Sequence, residues 1–164
     1  MHPERQLEVL EQCPAAKLVA LDTMRDFIVS HRATLQQLLQ RSDLLFANEA
    51  ELRALLPTAP ADSIQAAREA LMRWQLQAVI LKLGARGALA VFASSEVHSP
   101  PFPGPAVVDP TGAGDALAGG LLGRLAQLRR HDDVAITLAL TDGSAAARQA
   151  ISAFGVDGLL ESCG

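Results

Sequence analysis

The chain has 164 residues, a length typical of one globular domain with its own hydrophobic core. Its formal net charge of -4 and its scattered lysines and arginines argue against a nucleic-acid-binding surface. No apolar run reaches the length of a membrane span, and Cys13 and Cys163 lack the spacing of a disulfide framework or a zinc site. These features predict a cytoplasmic protein in a reduced compartment.

The first half of the chain alternates between strand and helix patterns. Short apolar runs predict four strands, at 17–21, 44–47, 78–81 and 88–92. Apolar residues at helical spacing predict helices between them, around 35–39, 49–56 and 62–74. Short connections of this kind predict a mostly parallel sheet flanked by helices, with ligands at the carboxyl ends of the strands. Asp22, Asn48 and Gly84 follow strands at such ends.

The second half of the chain contains two predicted helices that are rich in small residues. A segment with four prolines, from Ser99 to Pro105, predicts a loop without regular structure. The first helix follows over 112–128, and the second runs over 134–150. The glycines within the first helix, Gly119, Gly120 and Gly123, each cost up to ~1 kcal/mol in helix propensity. We therefore expect close packing to compensate for them.

The run Asp109-Pro110-Thr111-Gly112-Ala113-Gly114-Asp115 lies where this loop meets the first of the two helices. The first N–H groups of a helix have no intrahelical partner and lie at the positive end of the helix dipole, so they can hold a phosphate oxygen. Gly112 and Gly114 let the backbone approach closely. Asp115 projects from the same turn, where phosphoryl transfer needs a proton acceptor. A glycine-rich turn that only redirects the chain is the structural alternative.

The spacing differs from two familiar phosphate-binding motifs. A dinucleotide-binding fingerprint needs a third glycine at the position that Leu117 occupies. The sequence also contains no Gly-x-x-x-x-Gly-Lys-Ser/Thr, the motif of P-loop nucleotidases. Neither a Rossmann oxidoreductase nor a P-loop protein fits the pattern.

The run from Asp109 to Gly120 closely resembles the C-terminal signature of the ribokinase-like (PfkB) carbohydrate kinase family. Four further segments resemble family motifs in the family's order: Leu21-Asp22-Thr23-Met24, Asn48-Glu49-Ala50-Glu51, Val79 to Gly84 with Gly87, and Ser144-Ala145-Ala146-Ala147 followed by Phe154-Gly155. The resemblance implies an α/β fold, namely part of a ribokinase-like three-layer α/β/α sandwich with a mostly parallel sheet.

The resemblance also implies an activity and a set of site residues. The activity is ATP-dependent, Mg²⁺-assisted transfer of the γ-phosphoryl group to an alcohol of a sugar or nucleoside. Asp115 is the expected general base, and the anion hole is expected at Gly112, Ala113 and Gly114. The residues expected to bind ATP are Lys82, Gly84, Gly87, Thr111, Gly112, Gly114, Gly143, Ser144 and Ala147. Asn48 and Glu51 are expected to organise Mg²⁺ through water, and Asp22 is expected to face the acceptor with Asp115.

Several of these residues also fit simpler roles. Asn48 and Glu51 have the spacing of a capping box at a helix start. Asp22 fits an aspartate that hydrogen-bonds its own backbone in a turn, and Lys82 fits a side chain that extends from a strand edge to solvent. The four histidines read as surface residues, with His31, His98 and His131 isolated from one another.

Nothing in the sequence resembles the N-terminal half of the family. We therefore expect residues 1–164 to form a single α/β domain that corresponds to the ATP-binding C-terminal portion. Such a domain would associate with itself or with a missing N-terminal half, because its sheet edge and helix faces lack their family neighbours. Two functions stay open: a PfkB-type kinase, and a nucleotide-binding module without turnover that acts through association.

Overall fold

The computed structural model describes residues 1–58, 60–104, 106–155 and 157. These residues form the following elements: α1 (Pro3–Gln12), β1 (Ala20–Asp22), α2 (Arg25–Ser30), α3 (Arg32–Leu39), β2 (Leu44–Asn48), α4 (Glu49–Leu55), α5 (Ser63–Trp74), β3 (Ala78–Lys82), a 3₁₀ turn (Gly84–Arg86), β4 (Ala88–Val91), β5 (Glu96–Ser99), α6 (Ala113–Leu128) and α7 (Asp133–Ala150). They group into two compact units. The first unit is Met1–Leu81 with Val91–Glu96, and the second is Lys82–Ala90 with the chain from Val97 onwards.

The first unit contains three neighbouring strands in the order β1-β2-β3. β1 and β2 are parallel, with Ala20 opposite Leu44 and Asp22 opposite Phe46. The apolar residues of β2 and β3, 44–47 and 78–81, are buried without alternation. This burial is typical of strands that are covered on both faces. The predicted parallel α/β arrangement is therefore confirmed for β1 and β2.

Capping side chains set the starts of two helices in this unit. Asn48 Oδ1 accepts the Glu51 N–H at 2.9 Å and Glu51 Oε2 accepts the Asn48 N–H at 2.8 Å, so the predicted capping box is present at α4. Asp62 caps α5 by accepting the Gln65 N–H at 2.8 Å. Because each cap satisfies a first-turn N–H group, the sequence signals locate both helix starts correctly.

The second unit contains the neighbouring strands β4 and β5 and the helices α6 and α7, which pack against each other. A Cβ atom on Gly143 would lie 2.6 Å from the Leu117 carbonyl oxygen, and one on Gly120 would lie 2.8 Å from Ala146 Cβ. The expectation of close packing is therefore confirmed for Gly120. It is wrong for Gly119 and Gly123, because no atom of the described residues outside the helix backbone lies within 4 Å of a Cβ atom at either position.

Two local expectations need correction. The strand predicted over 17–21 is β1, Ala20–Asp22, and it is preceded by Val19, whose N–H donates to the Asp43 side chain at 2.7 Å while its carbonyl accepts the Leu44 N–H at 3.1 Å. Ser99 belongs to β5 rather than to the proline-rich loop, and β5 was not predicted because two of its four residues are polar and exposed. Residues 100–104 have no regular structure, as predicted, whereas Pro105 lies outside the described residues. Within the described chain, no helix is long and apolar enough to cross a membrane.

Candidate functional site

A cavity of about 680 Å³ lies within the second unit, and every residue that lines it belongs to that unit. Its volume is in the range of ordinary small-molecule sites. The lining residues are Lys82, Gly84, Ala85, Gly87, Ala88, Pro101, Phe102, Pro103, Gly104, Val107, Pro110, Ala113, Gly114, Leu117, Ser144, Ala147, Arg148 and Ile151. They come from the end of β3, the 3₁₀ turn, the proline-rich loop, the start of α6 and the last turns of α7.

The start of α6 presents backbone N–H groups to this cavity. Gly112, the residue before the helix, has a left-handed φ of 82° and has no side chain to cap the first turn. Ala113 N–H donates to the Pro110 carbonyl at 3.4 Å, but the amides of Gly114 and Asp115 have no acceptor within the described part of the chain. Unsatisfied amides at the positive end of a helix favour an anion.

A carboxylate fixes the loop before this helix. Asp109 Oδ1 accepts the Thr111 N–H at 2.9 Å. This backbone hydrogen bond, followed by one from the Thr111 side chain, lowers the pKa of Asp109 below its ordinary value. Asp109 therefore stays ionised at neutral pH and holds the turn that leads into Gly112.

A lysine lies beside the same helix start. A Cβ atom on Gly114 would stand 3.4 Å from Lys82 Cδ and 3.6 Å from Lys82 Nζ. The ammonium group and the α6 amides therefore share one end of the cavity. Positive charge and unpaired N–H donors at one place are the features that bind a phosphate group.

The rest of the cavity wall is mainly apolar. Phe102 and three prolines contribute from the loop and its continuation, and Leu117, Ala147 and Ile151 contribute from α6 and the end of α7. Arg148 borders the cavity with its side chain against Gly104, where a Cβ atom would come within 2.6 Å of Arg148 Nε. A mainly apolar wall that also carries Lys82 and Arg148 fits a ligand with an apolar ring and an anionic group.

Most of the residues predicted to bind ATP line this cavity. Six of the nine do so: Lys82, Gly84, Gly87, Gly114, Ser144 and Ala147. Ala113 and Gly114, two of the predicted anion-hole residues, line it as well. The roles of these residues stay predictions. Residues that bind one ligand must lie around one cavity, and these residues do.

Other predicted residues of the second unit lie elsewhere. Thr111, Gly112 and Asp115 are exposed and are not among the lining residues. Gly143 is buried against α6, so helix packing accounts for the glycine at this position. Ser144 borders the cavity, and its hydroxyl oxygen accepts a hydrogen bond from Ser99 Oγ at 2.8 Å.

The residues predicted for Mg²⁺ and for the acceptor belong to the first unit. The capping box uses the single side-chain oxygen of Asn48 and one of the two carboxylate oxygens of Glu51. Asp22 Oδ1 accepts the N–H of Thr23 at 2.8 Å, which is the turn geometry considered as the alternative to a functional role. The side chains of Asp22, Asn48 and Glu51 are all half-buried.

Sequence reasoning missed two features. The walls that the proline-rich loop and Arg148 provide were not predicted, although four clustered prolines next to the signature were an available signal. A contact between two histidines was also not predicted. His31 lies edge to face with His2, with 4.2 Å between ring centroids. Nothing in the sequence spacing indicates this contact.

The chain is similar to known carbohydrate and nucleoside kinases. Residues 3–163 match the pfkB family carbohydrate kinase profile. The cytidine kinase of Thermococcus kodakarensis is 36% identical over 124 residues, which cover 73% of this chain and 43% of that protein. The solved aminoimidazole riboside kinase from Salmonella enterica, complexed with aminoimidazole riboside and an ATP analog, has a TM-score of 0.73 and 30% identity, and the match covers 91% of this chain and 51% of that one.

A ribokinase from Thermotoga maritima gives a TM-score of 0.71 at 26% identity, with 90% of this chain and 47% of that chain covered. These similarities confirm the ribokinase-like α/β fold that the motifs implied. The chain spans about half the length of the relatives it matches. Because the family profile covers nearly all of its residues, the chain belongs to the pfkB family of carbohydrate kinases.

Proposed function

We propose that the cavity of the second unit binds ATP and that the protein transfers the γ-phosphoryl group to an alcohol of a sugar or nucleoside. One observation carries the proposal: the α6 amides of Gly114 and Asp115, which have no acceptor among the described residues, lie beside the ammonium group of Lys82 on the wall of a mainly apolar cavity. The apolar part of the wall fits the adenine ring, and the amides with Lys82 fit the phosphates. Relatives named cytidine kinase and aminoimidazole riboside kinase support this assignment.

The chemistry assigned to this end needs few protein groups. Phosphoryl transfer passes through a loose transition state, so positioning and charge neutralisation contribute more than strong base catalysis. The amides of Gly114 and its neighbours hold phosphate oxygens, and Lys82 neutralises part of their charge. Asp115, in the first turn of α6, accepts the proton of the acceptor hydroxyl while that oxygen bonds to phosphorus and ADP leaves.

The proposal gives Asn48 and Glu51 an indirect role toward Mg²⁺. Mg²⁺ prefers oxygen ligands and retains several of its waters. Since the capping box already engages the single side-chain oxygen of Asn48 and one carboxylate oxygen of Glu51, the pair would hold the ion through bound water rather than as a closed set of ligands. Asp22 is assigned to the acceptor together with Asp115, and the acceptor class is a sugar or nucleoside.

Two measurements test the proposal. Calorimetric titration with ATP and ADP should give binding to one site per chain, and a coupled assay should detect ATP consumption with one member of a panel of sugars and nucleosides. Asp115→Asn should lower turnover on the order of 10²–10⁴-fold, the usual range for loss of a general base, with little change in ATP affinity. Equal loss of binding and turnover would assign Asp115 to the helix start rather than to catalysis.

A second function has support from one observation. Every residue that lines the cavity belongs to the second unit, so nucleotide binding does not require residues of the first. The protein could therefore act as a nucleotide-binding module that associates with itself or with another chain. ATP binding without consumption of any acceptor, together with a larger mass by light scattering, would favour this function. A monomer that turns over ATP with an acceptor would refute it.

A further inference from the structure

Two histidines and a glutamate form a cluster in the first unit, which contains none of the residues that line the nucleotide cavity. His2 precedes α1, Glu4 lies in its first turn, and His31 connects α2 to α3. One ligand atom from each of the three side chains lies within 4.8 Å of the other two. His2 Nδ1 and Glu4 Oε2 are in direct contact, and both side chains are about half exposed, at 49% and 48%. Solvent therefore has access to the cluster.

Neighbouring residues hold the three side chains in this arrangement. The Phe27 ring lies edge to face with both imidazoles, at 5.5 Å from His2 and 5.9 Å from His31. His31 Nδ1 hydrogen-bonds with Ser30 Oγ at 2.7 Å, which directs its Nε2 away from Ser30. Thr34 Oγ1 donates to Glu4 Oε1 at 3.1 Å, so the other carboxylate oxygen is the one that pairs with His2. Hydrogen bonds from the outer atom of a ligand are how proteins orient metal-binding histidines and carboxylates.

We propose that His2, Glu4 and His31 bind a zinc ion. Imidazole nitrogen and carboxylate oxygen are ordinary zinc ligands, at about 2.0–2.2 Å from the metal, and a site with three protein ligands completes its coordination with water. Tetrahedral ligands at these distances lie roughly 3.4 Å apart. Small rotations of exposed side chains bring atoms from within 4.8 Å to that spacing. Mg²⁺ and Ca²⁺ prefer oxygen ligands, so a pair of imidazoles selects against both.

Such a site would fasten α1 to the rest of the first unit. α1 packs against α3, yet Pro3 is its one buried residue in the described structure. An ion that joins residues 2 and 4 to residue 31 would link the start of α1 to the junction between α2 and α3. Because the ion would bind the folded chain and not the unfolded one, it would raise the stability of the first unit.

The test is zinc titration of the full chain by calorimetry. Cys13→Ser and Cys163→Ser provide the background, because a thiol could bind zinc by itself. We expect one zinc ion per chain and a rise in Tm with zinc. His31→Ala should weaken binding by about 100-fold or more, since it removes a ligand, and Thr34→Val should weaken it by about tenfold, the size of an outer-partner effect. An excess of Mg²⁺ should not displace the zinc.

Two variants serve as controls. Glu4→Gln keeps the size of the side chain and removes its charge, so it tests the site even where His31→Ala disturbs the packing around Phe27. His98→Ala removes an exposed histidine that bonds to the Arg86 carbonyl, and it should leave zinc affinity unchanged. Absence of zinc binding in the serine background would overturn the proposal. Binding that survives both His31→Ala and Glu4→Gln would also overturn it, because the ion would then be held elsewhere.

Discussion

Replacing Gly114 by alanine separates a ligand-binding role from a structural one. A methyl group there makes ordinary contacts of 3.4 and 3.6 Å with Lys82 Cδ and Nζ, so the fold accepts it. The same methyl group would stand beside the Lys82 ammonium group at the start of α6, where the proposal places a phosphate. We therefore expect Gly114→Ala to fold normally and to bind ATP and ADP more weakly.

The size of the effect follows from the bonds at risk. A phosphate oxygen must come within about 2.7–2.9 Å of an amide nitrogen to form a charge-assisted hydrogen bond. Loss of one such bond costs about 1.5–3 kcal/mol. At 1.4 kcal/mol per factor of ten, the expected loss of affinity is about 10- to 150-fold for both nucleotides.

Gly119→Ala is the matched control on the same helix. Gly119 is exposed and a Cβ atom there meets nothing within 4 Å in the described part of the chain, so we expect only helix propensity to change. We expect a gain of up to about 1 kcal/mol and a Tm higher by about 2–4 °C. Nucleotide affinity should equal that of the wild type. Calorimetric titration measures the affinities, and thermal unfolding followed by circular dichroism measures Tm.

Equal ATP affinity in Gly114→Ala and the wild type would refute the assignment of the α6 start as the phosphate site. A loss of affinity that is accompanied by an equal loss in Gly119→Ala would point instead to a general change in α6. Only a loss confined to Gly114→Ala supports the reasoning.

Three further predictions concern stability. Gly87 has a φ of 88° and a ψ of -140°, and a Cβ atom there would lie 2.2 Å from the Ser99 carbonyl oxygen. Gly87→Ala should therefore lower the free energy of unfolding clearly more than Gly84→Ala, which should cost roughly 1–2 kcal/mol because its Cβ meets nothing in the described part of the chain. Equal losses in urea unfolding would contradict this. Asn48→Ala should cost about 0.5–2 kcal/mol through loss of the cap, whereas Asn48→Ser should retain most of the stability, and equal losses in both would argue against capping. Hydrogen bonds from the Ala135 amide, and next from the Arg130 side chain, lower the pKa of Asp132 in the folded state. The charge of Asp132 therefore stabilises the folded state fully above the ordinary aspartate pKa, and this stabilisation is lost as pH falls through the lowered pKa of the folded state. The difference in stability between the wild type and Asp132→Asn should therefore be larger at pH 7 than at pH 2, and a difference that is the same at both values would contradict it.

Local signals were sufficient for the elements whose causes are local. The start of α4 follows from Asn48 and Glu51, and the burial of Leu35, Leu38 and Leu39 follows from their helical spacing. Elements that depend on distant residues were not predictable in this way. β1 is shorter than its apolar run, and just before it the Val19 amide donates to the Asp43 side chain, a contact between residues 24 positions apart.

The same distinction applies to the sites. The signature around Gly112 and Gly114 identified the helix start, and the strand before Gly84 brought Lys82 close to it. The apolar wall around Phe102 was not predicted, because prolines in a sequence indicate only that regular structure ends. The His2 and His31 contact was missed for a different reason, since it depends on how α1 packs against α3.

Glycines show why a motif must be resolved into separate physical causes before it supports a function. Gly143 is required by the approach of α7 to the Leu117 carbonyl, and Gly87 by a backbone conformation and a neighbouring carbonyl that exclude a side chain. Gly119 has no such requirement. Gly114 differs from all three, because the fold accepts a methyl group there while the space it would fill adjoins Lys82 and amides that have no acceptor among the described residues. Packing and backbone conformation therefore do not explain the glycine at position 114, whereas a phosphate bound at the start of α6 would explain it.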